Sequence, residues 1–157
     1  MIGREAELER LEKLYKSDQF EFLVMYGRRR VGKTTILQEF ASRHKVIFYS
    51  AQEKNDSLNL QDFSQAVQQD LDGQFIAPFP SWKEAFSHIT KKTQSGRTVL
   101  IIDEFPFMAG TNPSIKSILQ HEIDHEWSKK KILLILCGSS VSFMINQIMG
   151  YESPLYG

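Results

Sequence analysis

Residues 27–34 read Gly27-Arg28-Arg29-Arg30-Val31-Gly32-Lys33-Thr34, in which two glycines separated by four residues are followed by lysine and threonine. The segment before it, from Phe20 to Tyr26, is mostly apolar and rich in β-favouring residues, which predicts a buried strand. The segment after it has apolar residues at helical spacing, which predicts a helix from Lys33 to about Arg43. The pattern is therefore a strand, a glycine-containing turn and a helix.

This spacing predicts a phosphate-binding loop that extends from Gly27 to Thr35. The two glycines let the backbone curl so that successive N–H groups point at phosphate oxygens. Lys33 would place a positive charge on the β and γ phosphates, and the Thr34 hydroxyl would reach a Mg²⁺ ion. The helix that begins there directs its positive end at the same oxygens. A turn with a merely solvated lysine is the alternative, and the position between a strand and a helix argues against it.

Three consecutive arginines, at positions 28–30, lie inside this loop. One interpretation is that they contact the nucleotide, adding charge over it or sensing its γ phosphate. The other is that they face solvent at the top of the loop, and the sequence leaves both open. So many cations near Lys33 repel one another unless a polyanion occupies the loop, which agrees with phosphate binding.

A second candidate segment is the apolar run from Val99 to Ile102, which ends in the carboxylates Asp103 and Glu104. Ligands of parallel sheets gather beyond the carboxyl ends of the strands, so both side chains should emerge beside the phosphate loop. Asp103 would hold Mg²⁺ through its water shell. Glu104 would orient and deprotonate an attacking water. An exposed acidic turn is the alternative, and the pairing with the phosphate loop argues against it.

The rest of the chain predicts an α/β domain whose parallel sheet is covered by helices on both faces. Strands are predicted at 20–26, 46–49, 99–102 and 132–137, and helices at 3–16, 33–43, 58–71, 82–94, 113–127 and from near Ser140. A turn is predicted at Phe105-Pro106. The final residues, Tyr151 to Gly157, form a loop sequence without a closing element, so we expect the native polypeptide to continue.

The fourth predicted strand ends in Cys137-Gly138-Ser139-Ser140. A hydroxyl at this strand end would bond the attacking water or the γ phosphate as a sensor, or it would cap the next helix. We assign Ser139 to the first role and Ser140 to the second. Cys137 is expected to be a buried core thiol without redox chemistry.

A competing motif, His121-Glu122-Ile123-Asp124-His125, matches the zinc-protease pattern H-E-x-x-H. Two histidines one turn apart on a helix bind zinc in such enzymes, with the glutamate as base. Here Asp124 adds a charge inside the motif, and no further ligand follows at a short helical spacing. We therefore interpret these residues as the solvated face of a packing helix.

Composition excludes several classes of protein without indicating any chemistry. The chain has 157 residues, and 19 Lys+Arg balance 19 Asp+Glu, so no strong overall field gathers nucleic acid. A single cysteine excludes an internal disulfide and indicates a reducing compartment. No apolar run is long enough to span a bilayer, and the N-terminus does not resemble a signal peptide. A cytoplasmic protein without a membrane partner is expected.

Five segments together resemble one family, the prokaryotic AAA-type ATPases of the archaeal-ATPase group. They are Ile2–Leu8, Tyr26–Thr34, Ile102–Pro106, Cys137–Ser140 and Ser153–Gly157. The resemblance implies Walker A and Walker B motifs in a three-layer P-loop fold of the additional-strand type, with strand order 5-1-4-3-2. It also places Gly3 and Arg4 close to the base of the nucleotide.

Family members continue past the last of these segments into a fifth strand, a helical lid and further domains. Residues 1–157 are therefore expected to be one P-loop ATPase domain, truncated on its C-terminal side, with the fifth strand and lid missing. A DNA or protein partner would bind through that missing region, and the resemblance leaves a homo-oligomer open.

The function predicted from the sequence is Mg²⁺-dependent ATP binding and hydrolysis. Adenine is favoured because the guanine signature N-K-x-D is absent, and Lys54-Asn55-Asp56 has the wrong order. The alternative is an ATP-dependent switch with little turnover that controls an attached DNA-binding or effector domain. A small-molecule kinase is disfavoured because an acceptor site and a lid arginine are not evident.

Overall fold

The computed structural model describes residues 2–26, 32–139 and 143–144, with the side chains of residues 2–4 excepted. The helices are α1 Ile2–Tyr15, α2 Lys33–Arg43, α3 Asp56–Asp72, α4 Trp82–Lys92, α5 Phe105–Ala109 and α6 Ser114–His125, and the strands are β1 Glu21–Tyr26, β2 Val46–Ser50, β3 Thr98–Asp103 and β4 Ile132–Gly138. A 3₁₀ turn, Trp127–Lys129, lies between α6 and β4. The predicted alternation of strands and helices is confirmed.

The four strands form one parallel sheet in the order β1-β4-β3-β2. This order equals the 1-4-3-2 part of the expected arrangement, and the fifth strand stays a prediction. The central strand β4 is buried along its whole length, as expected of a parallel strand covered on both faces. Its end pairs with the end of β1, through Tyr26 and Gly138.

Two apolar clusters, one on each face of the sheet, make the core of this α/β/α domain. On one face, Leu11 of α1 and Leu37 and Phe40 of α2 pack with Leu133 and Ile135 of β4. On the other face, the buried side chains come from α3, α4, α5, α6 and the 3₁₀ turn. They include Phe63, Phe86, Phe105, Ile115 and Trp127, with Leu134 and Leu136 of β4. Alternate residues of one strand therefore serve opposite faces.

Two local predictions are wrong at the end of β3. Asp103 is the last residue of the strand rather than the residue after it. The predicted turn at Phe105-Pro106 is the short helix α5. Proline is well suited to the first turn of a helix because its fixed φ is already helical and its missing N–H would have no partner there. Burial of Phe105 and Met108 holds this turn against the sheet.

The predicted last helix from Ser140 lies outside the described residues, apart from Phe143 and Met144. In the part of the chain that the structure covers, no helix is both long and apolar enough to traverse a membrane.

Gly138 lies where α5 approaches the end of β4 most closely. A β-carbon at this position would lie 2.8 Å from Cδ of Pro106 and 2.9 Å from Sδ of Met144. Since the proline ring is rigid, Gly138→Ala should lower the free energy of unfolding by about 1–3 kcal/mol, as overpacking does elsewhere. Denaturant unfolding measures this change. Gly96→Ala is the control, because a β-carbon there meets nothing within 4 Å, and an equal loss in both variants would contradict the prediction.

Candidate functional site at the carboxyl edge of the sheet

The start of α2 lies beside the end of β3. The Thr34 hydroxyl donates a hydrogen bond of 3.2 Å to Oδ2 of Asp103. Asp103 is only 4% exposed, and its Oδ1 accepts a 2.9 Å bond from the backbone N–H of Glu104. The strand order brings these groups together, because the carboxyl ends of β1, β4 and β3 lie side by side. The two residues predicted to hold a metal are therefore in direct contact.

The chain enters α2 through a glycine that its conformation requires. Gly32 has φ 78° and ψ 14°, in the left-handed region, where a residue with a β-carbon costs roughly 1–2 kcal/mol. Its carbonyl accepts the N–H of Ile36, which closes the first helical turn. Lys33 follows with only 5% of its surface exposed. The positively charged Lys33 therefore lies at the positive end of α2, and this combination favours the binding of an anion.

Glu104 has a strained backbone and a carboxylate that accepts hydrogen bonds from Ser139. Among the described residues it is the one non-glycine residue with a positive φ, 54°, and strain of this kind is found at functional sites. Its Oε1 accepts bonds from the backbone N–H of Ser139 at 3.3 Å and from the Ser139 hydroxyl at 3.1 Å. The same hydroxyl lies 3.2 Å from Oε2. The predicted base and the predicted sensor therefore contact each other, a pairing that the sequence did not indicate.

Cys137 lies underneath this site. It is fully buried, and the Asp103 carboxylate and Lys33 lie near enough to affect its ionisation. Burial, reinforced by the Asp103 carboxylate, raises the pKa of the Cys137 thiol well above its usual range, although Lys33 lowers it. The thiol is therefore protonated at neutral pH. The expectation of a buried core thiol is confirmed, while its proximity to Asp103 was missed.

The other predicted site residues are only partly described. Thr35 is exposed on the first turn of α2. Gly3 and Arg4 belong to the first turn of α1. Most of the loop lies outside the described residues, namely Gly27, Arg28, Arg29, Arg30 and Val31. Ser140, assigned as a helix cap, also lies outside them. The roles of all these residues remain predictions.

The H-E-x-x-H segment lies on α6, away from this edge of the sheet. The prediction of a solvated face is wrong for Glu122, which is 8% exposed and accepts a hydrogen bond from Thr90 of α4. Thr90 in turn accepts the indole N–H of Trp127 at 2.7 Å. Position 122 follows Leu119 by three residues on the buried stripe of α6, a spacing that could have indicated its burial. This orientation does not present Glu122 as the base of a metalloprotease.

The fold is a parallel sheet between two layers of helices, and a G-x-x-x-x-G-K-T sequence runs from the end of β1 into the first turn of α2. These two features together are characteristic of P-loop nucleotide-binding domains. The chain belongs to the family described as an ATPase domain predominantly from Archaea, whose model matches residues 1–157. The family predicted from the sequence is thereby confirmed.

Relatives and solved structures agree with this assignment. An uncharacterised protein of Methanocaldococcus jannaschii is 33% identical over 156 residues, which are 99% of this chain and 33% of that protein. An uncharacterised ATP-binding protein of the same organism is 38% identical over 45 residues, 29% of this chain and 76% of that protein. The chain thus spans a third of the length of the first relative.

Among solved structures, a Walker-type ATPase of Pyrococcus abyssi has a TM-score of 0.63 and 25% identity, covering 98% of this chain and 50% of that one. Cdc6p from Pyrobaculum aerophilum has a TM-score of 0.63 at 16% identity, covering 98% and 44%. Drosophila ORC bound to DNA has a TM-score of 0.59 at 16% identity, covering 98% and 40%. At 16% identity the last two likenesses concern the fold alone.

Proposed function

We propose that this domain binds ATP with Mg²⁺ at the carboxyl edge of its sheet and hydrolyses it. The strongest support is the 3.2 Å hydrogen bond between the Thr34 hydroxyl and Asp103, which joins residues 69 positions apart. This bond supports the proposal because the Thr34 hydroxyl lies against the acidic end of β3, an arrangement that suits metal-assisted phosphoryl transfer. Family membership supports nucleotide binding, and hydrolysis is our inference from the site.

The residues at this edge fit a magnesium ion. Mg²⁺ prefers hard oxygen ligands and keeps several waters, and Thr34 and Asp103 supply a hydroxyl and a carboxylate. The Glu104 N–H already holds one oxygen of Asp103, and the other oxygen accepts the Thr34 hydroxyl. When bound, the ion would neutralise charge on the β- and γ-phosphate oxygens.

The remaining site residues have separate roles in this proposal. Lys33 and the first N–H groups of α2 hold the phosphates. Glu104 accepts a proton from the water whose oxygen attacks the γ-phosphorus, as the bond from phosphorus to the bridging oxygen breaks and leaves ADP and phosphate. Ser139 holds Glu104 in place. Gly3 and Arg4 would lie near adenine, as the family resemblance implies.

Calorimetric titration with ATP and GTP, in the presence and absence of Mg²⁺, tests binding, and phosphate release followed in parallel tests turnover. We expect ATP to bind more tightly than GTP and to need Mg²⁺ for turnover. Failure of both nucleotides to bind would contradict the proposal for this chain. Binding without any phosphate release would support the proposed nucleotide site and contradict the proposed hydrolysis.

One observation favours a second function, an ATP-dependent switch with little turnover. The Glu104 carboxylate is bound by both donors of Ser139, so the base is held by the protein in this conformation. A γ phosphate that attracted the Ser139 hydroxyl would change this contact and thereby signal the bound nucleotide. The switch would act on a DNA-binding or effector region outside this chain.

Replacement of Ser139 distinguishes the two functions. If hydrolysis is the function, Ser139→Ala should lower the rate of phosphate release about tenfold with little change in KM. This is the lower end of the about 1.5–3 kcal/mol that a hydrogen bond to a charged group contributes, because the Ser139 backbone N–H still binds Glu104. Ser139→Thr keeps the hydroxyl and should retain most of the activity. A faster Ser139→Ala variant would contradict this prediction, because it would mean that Ser139 restrains Glu104, as the switch requires.

A nucleic-acid partner is proposed by analogy of fold alone. One structural neighbour, Drosophila ORC, is bound to DNA, and the net charge of this chain is zero, which gives no independent support. Phosphate release measured with and without duplex DNA, on this chain and on a longer polypeptide, tests the proposal. Acceleration confined to the longer polypeptide would place the DNA contact outside residues 1–157.

A further inference from the structure

The outer surface of α6 carries two histidines that the proposed nucleotide site does not use. His121 and His125 lie one helical turn apart on the exposed side of the helix. Their rings stack, with centroids 4.0 Å apart and planes inclined by 27°. Side chains four residues apart on a helix point in the same direction. Two exposed imidazoles therefore lie on the same side of the helix, close enough that a rotation of the His121 ring would bring one nitrogen of each to the same ion.

A hydrogen bond determines which nitrogen of His125 is available to a ligand. Nδ1 of His125 lies 3.0 Å from the backbone carbonyl oxygen of His121. Because a carbonyl oxygen only accepts, Nδ1 carries the proton, and Nε2 of the neutral ring keeps its lone pair. Histidines that bind metals are held in the same way, with the other ring N–H donated to a carbonyl or carboxylate. His125 is thus oriented as a ligand through Nε2.

The groove beside this pair has room for a hydrated ion and little net charge. Its volume is about 330 Å³, and its lining comes from α4 and the end of α6: Lys83, Ser87, Thr90, Lys91, His121, Glu122, His125 and Glu126. The two lysines are exposed, so their long side chains can move away from a cation, while Glu126 adds a carboxylate next to His125. Glu122 is bound to Thr90 and is not available.

We propose that His121 and His125 chelate a divalent transition-metal ion of the Zn²⁺, Ni²⁺ or Cu²⁺ class. Imidazole nitrogen favours these ions over Mg²⁺ and Ca²⁺, which take oxygen ligands. The protein supplies two ligands and water completes the coordination, since the described residues hold no group of three or more candidate ligands. An ion bound across one turn also stabilises α6, because it binds the helical form more tightly than the unfolded chain. This site does not depend on ATP binding.

Calorimetric titration of the whole chain with NiCl₂, without nucleotide, tests the chelate. We expect binding in the unmodified chain and at least about tenfold weaker binding in His121→Ala and in His125→Ala, since loss of an outer-shell partner alone costs about 10–100-fold. Addition of MgCl₂ should not weaken the binding of nickel. Both replaced side chains are exposed, and unchanged circular dichroism would show that the variants fold.

His88→Ala is the matched control, because His88 lies on the neighbouring α4, bonds to Asp72 and has no histidine one turn away. Nickel binding should be unchanged in this variant. If both α6 variants bound nickel as tightly as the unmodified chain, or if only one of them lost affinity, the chelate would be overturned. No binding at about 1 mM metal, a limit that corresponds to roughly 4 kcal/mol, would overturn it as well.

Discussion

ATP binding is expected to weaken by about 10- to 150-fold when Lys33 is replaced by alanine. The estimate follows from the loss of charged hydrogen bonds to phosphate, at about 1.5–3 kcal/mol. Lys33 lies at the start of α2 and is 5% exposed, next to the N–H groups that we propose bind phosphate. Calorimetric titration with ATP and Mg²⁺ measures the change.

The fold of this variant should persist. Alanine is the best helix former, and the buried Asp103 keeps its hydrogen bonds from Thr34 and from the Glu104 N–H. The control is Lys45→Ala, at an exposed position beyond the far end of α2, which should bind ATP as the unmodified chain does. If Lys33→Ala bound ATP with unchanged affinity while remaining folded, the loop would not be the phosphate site.

The second large effect is expected on phosphate release in Glu104→Gln. Loss of a positioned general base lowers a rate by about 10²–10⁴-fold, while glutamine keeps the size and one acceptor oxygen of the side chain. The Ser139 N–H and hydroxyl can still donate to that oxygen, because they bond Oε1 in the structure. ATP affinity should therefore be retained while turnover is lost. Single-turnover release of phosphate, with ATP binding measured on the same sample, separates the two quantities.

Glu53→Gln is the control for this experiment. Glu53 is exposed in the loop after β2, at the same edge of the sheet, and its replacement should leave the release rate unchanged. An unchanged rate in Glu104→Gln would mean that another group activates the water. A loss of ATP affinity would instead mean that Glu104 contacts the nucleotide itself.

The elements of the fold could largely be predicted from the sequence, because each strand is a short apolar run and each long helix has its own periodicity. The start of β2 at Val46 and the whole of α2, Lys33–Arg43, were predicted at the observed residues. The helix α5 was missed because it is only five residues long and its proline is also typical of turns. Local patterns of that length do not distinguish a turn from the first turn of a helix.

The types of residue at the candidate site could also be identified in the sequence. Lysine and threonine after a glycine turn, and paired carboxylates after an apolar strand, are residue types that phosphate and magnesium require wherever the chain places them. The same segments also predicted the family to which the chain belongs. The roles of these residues in catalysis remain predictions that the two variants above address.

Only the tertiary structure decided which of these groups meet. Glu104 contacts Ser139, and Asp103 lies near Cys137, because β3 and β4 are neighbours in the sheet. Likewise Glu122 is buried because α4 packs on that side of α6 and offers Thr90. A sequence determines the chemical character of each segment through local propensities, whereas strand order and helix packing arise from long-range burial. For that reason the proximity of Asp103 to Thr34 was expected from the sequence, whereas the contact between Glu104 and Ser139 was not.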